Sequence, residues 1–150
     1  MSLYSAFARE ITPSTTDDNW IVEAQTAEVG FITNIWWGGN VTTSTNATTR
    51  TTRGSGQAGA GTAGNIAKHG NDQTALLAFF TTYATTQPTL NAGDLVALSW
   101  NMHGGVVRIA LSIEEAFQLI GKATPDELST ICNRNATGVS SSTYGVTWKE

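Results

Sequence analysis

A chain of 150 residues is long enough for one domain with a real core, and its 40% hydrophobic and 13% charged residues exclude a disordered, charge-solvated polymer. The net charge is -4, and the eight Lys and Arg are scattered. Nothing resembles the basic stripe that nucleic acid requires, Arg50 with Arg53 being the nearest approach, and no apolar run approaches membrane-spanning length.

In chain order, residues 1–18 are expected to form an N-terminal arm and turn. Tyr4, Ala6 and Phe7 can anchor a short strand there, and Pro13 to Asp18 is a breaker cluster. Trp20–Ala27 alternates as a half-buried strand, with Trp20, Val22, Ala24 and Thr26 on one face. Val29–Trp37 follows almost at once. Simple alternation puts Val29, Phe31, Thr33, Ile35 and Trp37 together, and Ile32 with Trp36 opposite. Two bulky faces predict a central strand or a subunit contact. Ala47–Arg53 alternates without a large apolar residue and fits a solvated edge strand or an extended loop. Its two arginines would blunt an exposed edge.

Gly54–Gly64 is a low-complexity loop. It lacks the Gly-Lys-Ser or Gly-Lys-Thr ending of a phosphate-cradling loop. Ala75–Tyr83 fits both periods, and its Thr and aromatic content favours extended structure. Asp94–Asn101, a turn at His103-Gly104-Gly105, and Val106–Leu111 make the best hairpin candidate. Ser112-Ile-Glu-Glu115 has the spacing of a helix capping box, with Ile113, Ala116, Phe117 and Ile120 at helical spacing behind it. Thr124-Pro-Asp-Glu127 is a second candidate helix start. Leu128–Arg134 and Thr143–Trp148 are the last two strands.

No catalytic constellation is apparent. His69, His103 and Cys132 occur in neither H-x-x-x-H nor C-x-x-C spacing, so no metal or cofactor is expected. Glu114 and Glu115 are adjacent and cannot flank a substrate. No Gly-x-Ser-x-Gly elbow occurs. A hydrolase would need His69 or His103 to meet an acid in a cleft. Cys132 cannot pair within the chain, which suggests a reducing compartment, and the start lacks the pattern of a secretory leader. The sequons at Asn40, Asn46 and Asn135 are what a Thr-rich chain produces by chance. Trp36, Trp37 and Trp100 carry the sharpest hint of binding: tryptophan serves cores, subunit interfaces and sugar platforms alike.

Phe31-Ile-Thr-Asn-Ile-Trp-Trp-Gly-Gly-Asn40, Thr48-Thr-Arg-Thr-Thr-Arg53, Leu98-Ser-Trp-Asn-Met-His-Gly-Gly-Val-Val-Arg108 and Val146-Thr-Trp-Lys-Glu150, in this order, resemble small virion proteins of tailed bacteriophages. The resemblance implies a jelly-roll-like β-sandwich, a homotrimer and a place on the capsid exterior as a cement protein, with no catalytic residues. The expected fold is therefore an all-β antiparallel sandwich over residues 19–150, with one or two short helices. The expected function is non-enzymatic capsid decoration after synthesis in the host cytoplasm. The expected partners are the major capsid protein and further copies of the chain, without direct nucleic-acid or membrane contact. Tyr4, Phe7, Trp36, Trp37, Arg50 and Arg53 are the interface candidates. The alternative is a carbohydrate- or receptor-binding module of a phage tail, which would expose Trp36 or Trp37 in a groove.

Overall fold

The computed structural model describes residues 1–12, 15–55, 59–70, 73–86, 88–121, 130–137 and 140–150. Its strands are β1 (Leu3–Ile11), β2 (Trp20–Glu23), β3 (Val29–Gly39), β4 (Asn46–Ser55), β5 (Gly59–Ala63), β6 (Ile66–Lys68), β7 (Ala78–Thr86), β8 (Thr89–Asn101), β9 (Val106–Ala110), β10 (Phe117–Ile120), β11 (Thr130–Thr137) and β12 (Ser142–Lys149). Two antiparallel sheets result. In the first, β10-β3-β12-β1-β6 run side by side and β9 shares the β3 edge with β10. In the second, the order is β5-β7-β2-β11-β4-β8. The inner faces meet over Trp20, Val22, Ile32, Ile35, Trp37, Phe79, Leu119, Ile131, Tyr144, Val146 and Trp148, all of them buried. Burying one such large side chain stabilises by about 1.5–3 kcal/mol.

Residues 3–11 are not an arm lying outside the sandwich. β1 pairs with β12 from Leu3↔Lys149 to Ile11↔Ser142 and with β6 on its other side. Tyr4, Ala6 and Ala8 point into the core, and the Tyr4 ring stacks on Trp148 at a centroid distance of 5.9 Å. The alternation of small and aromatic apolar residues in Tyr4-Ser-Ala-Phe-Ala is a strand pattern with one buried face.

Simple alternation misassigns the first half of β3. The register with β12 steps from Asn34↔Thr147 to Ile32↔Trp148, so Thr33 is an extra residue on β3, a β-bulge. The bulge reverses the alternation. Ile32, Ile35 and Trp37 face inward, while Phe31, Asn34 and Trp36 face outward. The Thr33 hydroxyl donates to the Thr147 carbonyl at 3.2 Å, which fixes the irregular residue.

β4 is neither an edge nor a loop, because β11 lies on one side and β8 on the other. Its threonines enter the interior as polar groups. Thr49, Thr51, Asn19, Asn133 and Asn135 are all buried between the sheets. Asn135 Oδ1 accepts from Asn19 Nδ2 at 3.1 Å, Thr49 Oγ1 at 3.0 Å and Tyr144 OH at 3.1 Å. Trp100 Nε1 donates to Thr49 Oγ1 at 3.0 Å, and Asn133 Nδ2 donates to Thr51 Oγ1 at the same distance. Partnered in this way, neutral polar groups can occupy a sandwich core.

The predicted hairpin at 94–111 is a crossover. β8 pairs with β4 in the second sheet and β9 with β3 in the first. Between them Met102 is buried, with its amide donating to the Thr45 carbonyl. Gly104 turns the chain at φ +66°, a left-handed conformation suited to glycine.

The described residues contain no helix. The reciprocal bonds of the capping box do form: Glu115 N donates to Ser112 Oγ at 3.3 Å, and Ser112 N to Glu115 Oε2 at 3.4 Å. They close a turn. The chain then enters β10, where Leu119 is buried and pairs opposite Gly30. Pairing with β3 together with core burial outweighs a single helical turn, which alone is unfavourable. The second candidate helix start, at Thr124, lies outside the described residues.

Candidate functional site

The six interface candidates separate into three groups. Tyr4 and Trp37 are core residues, 2% and 0% exposed, so neither can meet a partner in the folded chain. Phe7 and Trp36 stand together on the outer face of the first sheet. Arg50 and Arg53 lie on β4 in the second sheet.

The outer face is built by register. Phe7 pairs with Gly145, Gly145 with Trp36, and Trp36 with Arg108, so these four residues form one row across β1, β12, β3 and β9. Gly145 holds the row flat. The Phe7 ring lies over it, and any Cβ at that position would collide with the ring. The Arg108 guanidinium sits over the Trp36 ring, 4.5 Å from its centroid, a cation–π arrangement. Arg108 Nε and Nη2 also donate to Asn34 Oδ1 at 3.0 and 2.8 Å. The Trp36 indole N–H points toward Thr147 Oγ1 at 3.4 Å. Phe7 (37% exposed), Val29 (39%), Ile120 (39%) and Val106 (74%) extend the apolar character of this face.

Arg108 and Gly145 were not among the candidates. The signal for Arg108 was available: it alternates with Val107 and Ile109 on a strand. Its partner was hidden, because nothing local shows that β9 pairs with β3 and sets Arg108 opposite Trp36.

The β4 arginines have local partners. Arg50 Nη1 lies 3.9 Å from Asp94 Oδ1, a loose, partly exposed ion pair of little energetic consequence. The Arg53 guanidinium donates to the Gln118 carbonyl at 2.7 Å and so ties β4 to β10 along one side of the sandwich. Partial burial lowers its pKa.

The groups capable of chemistry are dispersed. His69 Nε2 lies 3.0 Å from Ser5 Oγ, and His103 Nδ1 lies 3.0 Å from the Val41 carbonyl, so neither imidazole meets an acid in these contacts. Cys132 is fully buried on the outer side of the second sheet beside Ile21, and burial pushes its thiol well above the ordinary range. Asp18 is buried against Arg134, Oδ1 to Nε 2.9 Å. Burial raises its pKa to about 6, and the nearby guanidinium only partly opposes this. Among the described residues no three or more His, Cys, Asp or Glu converge as a metal site. No described helix is long and apolar enough to cross a membrane.

Trp100, 7% exposed, is turned inward to Thr49, and Trp36 lies on a flat face under Arg108. Trp100 lines a shallow pocket with Thr48, Ser99 and Asn101 but shows little of its ring there, and the Trp36 ring is covered by the Arg108 guanidinium. No protein-family model, curated protein or solved structure matches the chain.

Proposed function

We propose that the chain is a non-enzymatic virion structural protein, a jelly-roll-like capsid decoration protein. It associates as a homotrimer through the outer face of its first sheet and locks neighbouring major capsid protein subunits. The observation that carries this reading is the flat row Phe7–Gly145–Trp36–Arg108. It combines two aromatic rings and an arginine, the residue types that dominate protein interfaces. Trp36 and Arg108 are already held by Thr147 and Asn34, so little side-chain freedom is lost on contact.

The pairing pattern supports the jelly-roll reading. With β5–β7 taken as an insertion and β9 and β10 as halves of one strand, eight strands remain. Their pairings are nested: β1 with β12, β2 with β11, β3 with β9 and β10, and β4 with β8. Nesting of this kind is what a rolled, double Greek-key hairpin produces. The sparse charge of the chain fits a protein that keeps part of its surface against neighbours. The resemblance of the four sequence motifs to small phage virion proteins supplies the setting.

The test is quantitative mass spectrometry of purified particles of the phage that encodes the chain, paired with a heat-release assay on heads lacking it. The expected result is a stoichiometric head component whose loss lowers the temperature of DNA release. Absence of the chain from particles, or its recovery in tails alone, would overturn the reading. A tail location together with glycan binding would favour the receptor-binding alternative.

A further inference from the structure

The outer face of the first sheet carries charge of one sign. Beside the row Phe7–Gly145–Trp36–Arg108 run Ser5–Thr147–Asn34–Ala110 and Leu3–Lys149–Phe31–Gln118. The charged side chains of these three rows are Arg108 and Lys149, both cations, in a chain of net charge -4. Arg9 and Glu10 offset each other in the irregular step of β1 between Ala8 and Ile11. Two such faces laid on each other would bring cations together with no carboxylate between them, which disfavours a two-fold contact. A closed trimer has a different requirement. One patch of each copy must meet another patch of the next.

A complementary patch stands at the β3 edge of the same sheet, in the turn Ser112–Glu115 between β9 and β10. Ile113 is 41% exposed there, and Glu114 and Glu115 beside it are exposed. An apolar tip next to two carboxylates matches a face of aromatic rings next to two cations. The turn is also held in shape before any contact. Leu111 N donates to the Thr33 carbonyl at 2.8 Å, which anchors it beside the β3 bulge. Glu115 N donates to the Ser112 carbonyl at 3.1 Å, and Ser112 Oγ donates to Glu115 Oε2 at 3.0 Å. Glu114 stands outside those bonds. A rigid knob loses little freedom when it docks.

We propose that the Ser112–Glu115 turn of one copy seats on the Trp36–Arg108 face of the next. Ile113 packs on the rings and Glu114 meets the cations, so that three copies close a ring, edge to face. A carboxylate hydrogen-bonded to a guanidinium is among the stronger polar contacts available to an interface. The proposal rests on the trimer reading and names the second half of its contact.

Sedimentation equilibrium of the full chain at micromolar concentration, beside three turn and control variants, tests it. Glu114→Lys and, separately, Ile113→Ser are each expected to weaken association at least about tenfold with far-ultraviolet circular dichroism unchanged. Asp94→Lys makes the same change in net charge as Glu114→Lys, but on the second sheet, and should keep the mass of the parent. Raising sodium chloride from about 50 to about 500 mM should weaken association of the parent. A parent trimer that Trp36→Glu disrupts but that tolerates Glu114→Lys or Ile113→Ser would leave the face reading standing and overturn this one. Insensitivity to salt, or equal weakening by Asp94→Lys, would also overturn it. A monomeric parent would overturn both readings.

Discussion

At the scale of single residues, paired polar groups share the interior with the aromatic packing. Asn135 is the centre of that arrangement, with three donors converging on one carbonyl oxygen. Truncation leaves Asn19, Thr49 and Tyr144 to find new acceptors in a dry space, so Asn135→Ala is expected to cost about 3 kcal/mol. Urea unfolding followed by tryptophan fluorescence measures it. A loss within experimental error would show that these donors re-pair without cost.

Asp18 makes stability depend on pH in an unusual direction. Its folded pKa is raised from 3.8 to about 6, so the folded chain holds the proton more tightly than the unfolded chain does. The contribution is fully present below about pH 4 and is lost as pH rises through about 6. Asp18→Asn should remove this falling slope from the pH dependence of urea midpoints. An unchanged slope between pH 4 and 6 would assign it to another group. None of this was legible in the sequence, where Asp18 sits in a breaker cluster and its partner Arg134 is far away in the chain.

At the scale of elements, local pattern and final structure agree where alternation is uninterrupted and diverge where tertiary pairing intervenes. Trp20, Val22 and Ala24 occupy the core as their alternation predicts, and the Ala75–Tyr83 stretch enters β7 as an extended segment. The Thr33 bulge has no sequence mark, and one inserted residue exchanges the faces of β3. The Ser112–Glu115 box is genuine as hydrogen bonding and misleading as a helix signal, because Phe117 and Leu119 have a strand to join. Ser112→Ala is accordingly expected to cost no more than about 1 kcal/mol and to leave the far-ultraviolet circular dichroism that of a β-protein.

β1 offers a stronger contrast. An appended arm can be removed without harm. A strand that places Tyr4, Ala6 and Ala8 in the core cannot. Deletion of residues 1–9 should abolish the cooperative thermal transition, measured by near-ultraviolet circular dichroism. A truncated chain that still melts cooperatively would place β1 outside the folding unit.

At the scale of the whole molecule, the all-β antiparallel character was legible from Thr, Val, Ile and Trp strung between Gly and Asn turns. The association of distant strands was not. The 102–105 turn looks like a hairpin because its flanks alternate, yet it carries the chain from one sheet to the other. The flat aromatic face likewise needs β1, β12, β3 and β9 together before Phe7, Gly145, Trp36 and Arg108 become neighbours.

The trimer reading depends on that face. The most direct measurement is sedimentation equilibrium of the full chain at micromolar concentration, beside Trp36→Glu. The account predicts three times the chain mass for the parent protein. It predicts a monomer with unchanged far-ultraviolet circular dichroism for the variant, whose new carboxylate would be buried on association. A monomeric parent, or a variant that still forms the trimer, would contradict it.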